Sequence, residues 1–302
     1  MTESYIPKWP RFTFCGIENP PMEDSEVIMV PVPFDSTQSY RPGSRNGPES
    51  VIDASRYMEL YDHQLGWSPV DVGIHTHPGV EPVRGDAERT LERVEGVVSA
   101  LLSEGKFPVV VGGEHTISVG CVSAAKRIWQ DLSVICLDAH CDLRDRYEGS
   151  RFSHACTSRR ILDLTPDLAI LGPRSCSEEE WDFIQERGLN VSFWREGDAR
   201  DMVREIESVI ETQKGPVYLS VDLDVLNPSD LPAVGTPEPS GPSYADMVKI
   251  LRKAVEALDI VGVDFVELTP IPGDARSQFL AAKLIYKLIG LRFHPHSAHS
   301  RG

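Results

Sequence analysis

Short β-rich runs alternate with amphipathic segments along almost the whole 302-residue chain, and this alternation limits the fold more than any other feature. Strands are predicted at residues 27–31, 108–111, 132–137, 168–171, 190–193, 217–221 and 260–266. Helices are predicted at residues 87–103, 117–128, 178–187, 199–212, 244–258 and 277–289, where apolar residues recur every three or four positions. Because parallel strands are joined by crossovers whose helices cover the sheet, we expect an α/β fold with three α-β-α layers and a mostly parallel central sheet.

No linker rich in Pro, Gly or Ser divides this pattern, and no internal repeat is present. We therefore expect residues 1–302 to form a single domain. The stretch up to about residue 24 and residues 294–302 show no periodicity, and we expect them to be irregular tails. The C-terminal tail contains three histidines to which the sequence assigns no role.

Composition indicates a globular protein, with 41% hydrophobic and 25% charged residues. The formal net charge of −16 opposes binding to nucleic acid or anionic membranes and favours a small cationic ligand, although acidic surfaces also serve solubility. No signal peptide or membrane-spanning stretch is present, so we expect a cytoplasmic protein without a membrane or nucleic-acid partner. The six cysteines have no C-x-x-C spacing and are expected to be free thiols.

His, Asp and Glu side chains follow four of the predicted strands directly, and this regularity points to a site. The residues in these clusters are His115, Asp138, His140, Asp142, Asp222, Asp224 and Glu267. In open α/β sheets, ligands bind in the crevice outside the carboxyl ends of the strands. We therefore expect the four clusters to converge in one crevice.

The spacing within two of these clusters suits metal binding. In D-x-H-x-D at 138–142 and D-x-D at 222–224, alternate residues of an extended segment lie on one side. Four carboxylates and two imidazoles carry too much negative charge for one Zn²⁺ and suit two harder divalent ions. Each motif alone also has an ordinary structural explanation; Asp222 and Asp224, for instance, precede the turn-forming pair Asn227-Pro228. Their combination at successive strand ends predicts a binuclear centre.

With these motifs in place, the sequence resembles the ureohydrolase family, which includes arginase and agmatinase. The resemblance runs from P-F-D at 33–35 and S-Y-R-P-G at 39–43 to V-E at 266–267. It implies an arginase-like fold, a homo-oligomer that is a trimer or a hexamer, and two Mn²⁺ ions, although the residues themselves leave Ni, Co and Zn open. By this resemblance one ion is held by His115, Asp138, Asp142 and Asp222, and the other by Asp138, His140, Asp222 and Asp224.

The resemblance also implies the chemistry. A hydroxide shared by the two ions attacks the guanidinium carbon, and urea is released. Glu267 is expected to hold the guanidinium through paired hydrogen bonds, and Asp142 to pass a proton to the leaving amine. His154, in S-H-A at 153–155, is expected to relay a proton or contact the substrate. The predicted catalytic residues are thus Asp142, His154 and Glu267.

The loop at residues 143–152 lacks the Asn, Thr and Ser pattern of arginases and resembles the archaeal-type agmatinase branch. This favours agmatine as the substrate and putrescine as the product, a step of polyamine biosynthesis. Asp145 or Glu148 could attract the substrate amine, or could simply belong to a solvated loop.

Three alternatives to agmatine hydrolysis stay open. The first is another amidinohydrolase: guanidinobutyrase, aminopropylagmatine ureohydrolase, guanidinase or arginase. The second is a non-catalytic, metal-stabilised binding protein, and the third is a two-metal phosphoesterase. Asn227 and residues 231–234 depart from the family pattern in a loop expected to line the pocket, so we expect these departures to affect the choice of substrate and not the hydrolysis.

Overall fold

One eight-stranded sheet forms the centre of the computed structural model, which describes residues 12–195 and 199–295. The strands are β1 Val27–Val32, β2 Ile74–Thr76, β3 Phe107–Gly112, β4 Ser133–Leu137, β5 Leu168–Leu171, β6 Asn190–Ser192, β7 Pro216–Asp222 and β8 Asp259–Val266. Their order across the sheet is β2-β1-β3-β8-β7-β4-β5-β6, and each neighbouring pair is parallel. The prediction of a mostly parallel sheet is confirmed.

Helices cover both faces of this sheet. They are α1 Gly47–Ser55, α2 Ala87–Ser103, α3 Ser118–Ile128, α4 Thr157–Leu164, α5 Glu178–Arg187, α6 Ala199–Thr212, α7 Tyr244–Ala257 and α8 Arg276–Arg292. Apolar residues of α1, α6, α7 and α8 pack into the core on one face, whereas those of α2 to α5 pack into the core on the other. The predicted three-layer α-β-α architecture is therefore confirmed.

Strand β1 shows why the apolar runs are nearly continuous. Val27 and Met29 belong to the core on one face, while Ile28, Val30 and Val32 belong to the core on the other. Side chains alternate between the faces of a strand, so a sheet covered by helices on both sides needs apolar residues at every position.

Three elements escaped the sequence prediction. Strand β2 is three residues long, pairs only with β1 at the edge of the sheet and contains a single apolar residue, Ile74, so it shows no alternation. Helix α1 begins with Gly47-Pro48, and α4 spans only eight residues; both are too short to display several turns of amphipathic pattern.

The irregular ends are partly described. Phe14 is buried and its amide donates to Thr76 Oγ1 over 2.9 Å, which attaches the segment before β1 to the edge strand. Near the other end, His294 Nε2 lies 3.0 Å from the carbonyl oxygen of Leu65. His296 and His299 lie outside the described residues. Within the described ranges, no helix is long and apolar enough to cross a membrane.

The strand order positions the site. Strands β3, β8, β7 and β4, whose carboxyl ends carry the predicted clusters, are four consecutive neighbours in the middle of the sheet. Chain order is interrupted there, because β8 and β7 lie between β3 and β4. Such an interruption opens the crevice in which α/β proteins bind ligands.

Candidate metal centre

Three carboxylates surround one nitrogen of His115 at the carboxyl edge of the sheet. The Nδ1 atom lies 3.1 Å from Asp138 Oδ2, 3.1 Å from Asp142 Oδ2 and 3.3 Å from Asp222 Oδ2. All four side chains are buried. The structure therefore brings together residues from the ends of β3, β4 and β7 that are up to about a hundred positions apart in the chain.

A second group of ligand atoms adjoins the first. His140 Nδ1 lies 2.9 Å from Asp224 Oδ2 and 3.7 Å from Asp138 Oδ1. The ligand atoms of Asp138, His140 and Asp224 all lie within 4.8 Å of one another, as do those of His115, Asp138 and Asp142. Asp138 belongs to both groups, so the geometry suits two ions that share one carboxylate.

The donor set fits a pair of hard divalent cations. Asp138 is fully buried, and its Oδ2 accepts no hydrogen bond from any described residue. A buried carboxylate oxygen without a donor is costly, and a cation is the partner that such an oxygen takes in a cluster of four carboxylates. Oxygen-rich coordination with two imidazoles suits divalent cations that bind carboxylates.

Main-chain hydrogen bonds orient the carboxylates. Asp138 Oδ1 accepts from the His140 amide over 2.6 Å, and Asp222 Oδ1 accepts from the Asp224 amide over 2.9 Å. Asp224 Oδ1 in turn accepts from the Ala139 amide over 3.1 Å, which links the ends of β7 and β4. Each of these carboxylates keeps its second oxygen directed at an imidazole.

Two side chains behind the cluster, which sequence reasoning missed, control the ring of His115. Its Nε2 lies 3.0 Å from Ser220 Oγ, and Ser220 Oγ donates to Asp264 Oδ1 over 2.7 Å. When the serine proton goes to Asp264, the Nε2–H of His115 donates to Ser220 Oγ, and the neutral ring presents its Nδ1 lone pair on the side where a metal ion would bind. A hydrogen bond to the ring nitrogen that does not bind the metal fixes the tautomer of a metal-binding histidine.

A comparable partner lies behind His140. Its Nε2 is 3.7 Å from Glu238 Oε1, and both side chains are about a quarter exposed. Sequence reasoning missed Glu238, although an acid in T-P-E-P shortly after the Asp222 and Asp224 turn was a usable signal.

Glu267 and His154 meet at the edge of the cluster. Glu267 Oε1 accepts from the His115 amide over 2.6 Å and lies 3.6 Å from His154 Nδ1. Glu267 Oε2 accepts a short hydrogen bond from the Gln38 side chain. Burial lowers the pKa of His154, but the carboxylates of Glu267 and Asp142 outweigh it and raise that pKa to about 9.

The backbone at two site residues adopts an unusual conformation. Asp142 has φ 51° and Glu267 has φ 68°, a region that non-glycine residues seldom occupy. Strained backbone of this kind persists where the surrounding structure over-determines it, commonly at functional sites. Burial and the neighbouring Asp138 raise the pKa of Asp142 to about 6.

The loop that carries Gln38 is held by Glu114, which the sequence analysis did not single out. Glu114 is buried and accepts from the amides of Ser36 and Thr37 over 2.7 and 2.8 Å and from Thr37 Oγ1 over 2.7 Å. Thr37 Oγ1 also accepts from the His154 amide over 2.9 Å. Glu114 therefore joins this loop to the segment that carries His154.

A cavity of about 150 Å³ opens onto the cluster. Its outer lining includes Ser39, Arg144, Tyr147, Ser175, Cys176 and Thr236. Arg144 stacks over the Tyr147 ring at 5.0 Å. Asp145, considered above as a partner for a substrate amine, instead pairs with Arg160 at 2.8 Å and Arg151 at 3.4 Å.

The segment that departs from the family pattern does not line this cavity as expected. Leu231, Ala233 and Val234 are buried in the core, and Val234 pairs with Leu268 beside Glu267. The loop reaches the cavity through Thr236, as expected, but the side chains that depart from the family pattern pack beneath the site instead of lining the cavity.

The parallel sheet and the ligand cluster at its carboxyl edge define a metal-dependent α/β hydrolase. The chain belongs to the Arginase family, whose sequence profile matches residues 25–290. The resemblance seen in the sequence is confirmed, and members of this family are amidinohydrolases that act on C–N bonds with a binuclear metal centre.

Individual relatives agree with this assignment. The chain is 39% identical to an N(1)-aminopropylagmatine ureohydrolase of Synechocystis sp., over 88% of this chain and 89% of that protein. It is 35% identical to an agmatinase of Bacillus anthracis, over 84% and 87% of the two chains. The crystal structure of agmatine ureohydrolase of Thermoplasma volcanium superposes with a TM-score of 0.83 at 33% identity, covering 96% of this chain and 95% of that one.

Proposed function

We propose that this protein is a two-manganese ureohydrolase that releases urea from a linear cationic guanidine, with agmatine as the preferred substrate and putrescine as the product. The observation that carries the proposal is the pair of ligand groups sharing Asp138, with Glu267 and His154 at their edge. A protein that only binds metal for stability has no need of a carboxylate and an imidazole placed beside the ligands, whereas a hydrolase has.

The six ligands divide between the two ions. His115, Asp138, Asp142 and Asp222 would hold one ion, and Asp138, His140, Asp222 and Asp224 would hold the other. When bound, two such ions act as Lewis acids and lower the pKa of a water molecule between them toward neutrality.

Glu267 would bind the guanidinium group of the substrate. The His115 amide fixes its Oε1, while Gln38 is the one described residue whose side chain donates to Oε2. A guanidinium donates charge-assisted hydrogen bonds, about twice as strong as those of a neutral amide, so it displaces Gln38 from Oε2. Glu267 then holds the planar guanidinium beside the ligand cluster.

Asp142 and His154 would move protons. The Asp142 carboxylate lies beside the ligand cluster and lines the cavity, so it is placed to accept a proton and pass it to the leaving amine. His154, beside Glu267 and at the cavity wall, is placed to stabilise the leaving amine or transfer a proton to it. Both side chains line the same cavity as Glu267.

The relatives and the cavity support an amine-bearing substrate. The Bacillus anthracis agmatinase and the Thermoplasma volcanium agmatine ureohydrolase are both named for agmatine. The hydroxyl groups of Ser39, Tyr147, Ser175 and Thr236 provide hydrogen-bond acceptors for an ammonium group. A second candidate is N(1)-aminopropylagmatine, which the relative from Synechocystis sp. is named for.

The test is urea release from the manganese-loaded protein with agmatine, N(1)-aminopropylagmatine, arginine, 4-guanidinobutyrate and guanidine, beside a chelator-treated control. Metal-dependent urea with highest kcat/KM for agmatine supports the proposal. A higher kcat/KM for N(1)-aminopropylagmatine would make that compound the substrate and leave the proposed reaction, urea release, unchanged. No urea from any of the five compounds, with two ions bound per chain, would refute the proposal.

The proposal also covers the domain structure, the oligomeric state and the location of the protein. We infer a single ureohydrolase domain over residues 1–302 and a cytoplasmic homo-oligomer, a trimer or a hexamer, in keeping with the family. Light scattering coupled to size-exclusion chromatography measures the mass of the assembly against 33.5 kDa for one chain. A monomer would contradict the inference.

A further inference from the structure

Two of the six free cysteines, Cys141 and Cys176, lie against each other at the wall of the metal-site cavity. Cys141 stands between the ligands His140 and Asp142 and is buried. Cys176 lies in the loop between β5 and α5, and it is the one cysteine of the six that is not fully buried.

The backbone explains why the two meet. His140 and Ser175 form a parallel β-bridge, and the Ser175 amide donates to the Ala139 carbonyl over 3.2 Å. Paired extended segments lie about 4.7–4.9 Å apart. A disulfide spans Cα separations of about 4.4–6.8 Å. Cys141 and Cys176, each one residue beyond the bridge, are therefore placed within the reach of such a bond.

The two thiols differ in reactivity. The two side chains are hydrogen-bonded to each other, but Cys176 is partly exposed at the cavity wall whereas Cys141 is buried. Reactive cysteines are the ones that a reagent can reach. Cys176, which also faces the cavity, is therefore the thiol that a small oxidant meets first, and Cys141 is the thiol placed to react with the product.

We propose that Cys141 and Cys176 are a redox modification site, in which a small hydroperoxide entering the cavity converts the two thiols into a reversible disulfide. The Cys176 sulfur attacks the peroxide, the O–O bond breaks, and Cys176 sulfenic acid and water or an alcohol form. The Cys141 sulfur then attacks the Cys176 sulfur, the S–O bond breaks, and the sulfenic oxygen leaves as water. Overall two thiols lose two electrons and two protons, and the hydroperoxide accepts both.

The disulfide acts on the metal centre through the two ligands that flank Cys141. The bond fixes the sulfur atoms about 2.05 Å apart and the two Cβ atoms about 3.5–4.5 Å apart, so it constrains the backbone of Cys141 and with it the ligands on either side. Asp142 already occupies the left-handed region with φ 51°, which leaves it little freedom to compensate. A displacement of about 1 Å at catalytic groups costs roughly 100-fold in rate, and we expect a loss of that order.

The experiment treats the manganese-loaded full chain with hydrogen peroxide, blocks the remaining thiols with iodoacetamide and maps the peptides by mass spectrometry. We expect a cross-linked peptide that joins Cys141 to Cys176 and disappears after reduction with dithiothreitol. Urea release should fall with the appearance of this peptide and recover with its reduction, and manganese content is measured at each stage. The effect on urea release rests on the proposed function, whereas the cross-link does not.

Two serine variants and a matched control isolate the pair. Cys176→Ser and Cys141→Ser should form no cross-link and show no dithiothreitol-reversible loss, each variant being compared with its own untreated activity. Cys15→Ala removes a buried cysteine on the opposite face of the sheet and should keep both the cross-link and the reversible loss.

Three results would overturn the proposal. One is oxidation of Cys176 to sulfinic acid without any cross-linked peptide. Another is a complete cross-link with unchanged urea release and manganese content. The third is an equal reversible loss in Cys176→Ser. If no form of the protein releases urea, the proposed function is refuted independently of the cysteine proposal. The peptide map and the manganese content then still show whether the Cys141–Cys176 disulfide forms and whether it disturbs the metal centre.

Discussion

His115 and Ser220 are joined by a 3.0 Å contact between Nε2 and Oγ, and this contact makes Nδ1 the ring atom that faces the carboxylates. The two residues come from different strands: His115 follows β3, and Ser220 lies within β7. Behind Ser220, Asp264 accepts the hydroxyl proton, so a buried carboxylate determines the tautomer of His115 without touching an ion.

Replacing Ser220 with Ala should weaken metal binding. Without the hydroxyl, the Nε2–H of His115 loses its acceptor and the ring its fixed orientation, and losses of about 10–100-fold in metal affinity are typical for such partners. Manganese titration with equilibrium dialysis measures the dissociation constant, and activity should return at saturating metal. An unchanged dissociation constant would show that the contact does not orient His115. Ser229→Ala, a change in an exposed turn, is the matched control.

Substitution of Asp138 should remove more metal ions than substitution of Asp224. Asp138 belongs to both ligand groups and Asp224 to one, so Asp138→Asn should lose both ions and Asp224→Asn should keep one. Metal content per chain after desalting, measured by plasma mass spectrometry, gives the numbers directly. Two retained ions in Asp138→Asn would exclude a shared carboxylate.

Removal of the metal should make stability depend on pH in a defined direction. In the metal-free protein the folded pKa of Asp142 is raised to about 6 from an ordinary 3.8, so its stabilising effect is complete below pH 4 and is lost as pH rises to about 6. Burial disfavours protonation of His115 and His140, yet the carboxylates raise the pKa of both imidazoles above 6.5, and their stabilising effect is lost as pH rises further.

The chelator-treated protein should therefore be more stable toward urea at pH 5 than at pH 7.5, by roughly 1–3 kcal/mol. The sign follows from the raised pKa values, since the folded state holds more protons than the unfolded state across this range. Denaturation curves at the two pH values, with and without manganese, make the comparison. Equal stability of the metal-free protein at both values would contradict the repulsion inferred within the cluster.

Glu267→Gln should separate metal binding from turnover. The amide keeps the shape but loses the negative charge that pairs with a guanidinium, so we expect two bound ions and a fall in kcat/KM of roughly 100-fold or more. Glu256→Gln, an exposed position on α7, is the matched control and should behave like the unaltered protein. Normal turnover by Glu267→Gln would exclude Glu267 as the guanidinium partner.

Arg144 should report the charge of the substrate tail. It is a cation in the cavity lining, stacked on Tyr147. For an ammonium-bearing substrate such as agmatine, Arg144→Gln removes a like-charge repulsion and should lower KM severalfold. For a carboxylate such as 4-guanidinobutyrate the same change should raise KM. A higher KM for agmatine in Arg144→Gln would show that Arg144 helps to bind it.

Much of the fold follows from local patterns. Within the described residues, seven of the eight strands and six of the eight helices were predicted, because apolar residues recur in them with a period of two or of 3.6 residues. Strand β2, which has a single apolar residue, and the short helices α1 and α4 were missed, since they show no clear period.

The metal-binding residues were also predictable in kind. Ligand types at alternate positions in 138–142 and 222–224 project to one side of an extended chain, which is a property of the local backbone. Their positions after apolar strands placed them at the carboxyl edge of a parallel sheet. The resemblance to the ureohydrolases then assigned them to two ions.

Other features of the site depend on contacts between distant segments. Ser220 and Asp264 lie in apolar strands. Their role in orienting His115 is visible only once β7 and β8 pair next to β3. The role of Glu114 depends on its contact with the loop that carries Thr37, which is distant in the chain.

The sequence by itself determined which residue types follow which strands, because strand and helix periods and the alternation of side chains are local. Only the tertiary structure decided that β3, β8, β7 and β4 are consecutive neighbours, that Asp138 lies in both ligand groups, and that Cys141 meets Cys176. Strand order depends on how helices from distant parts of the chain pack on each face of the sheet, and no local pattern contains that information.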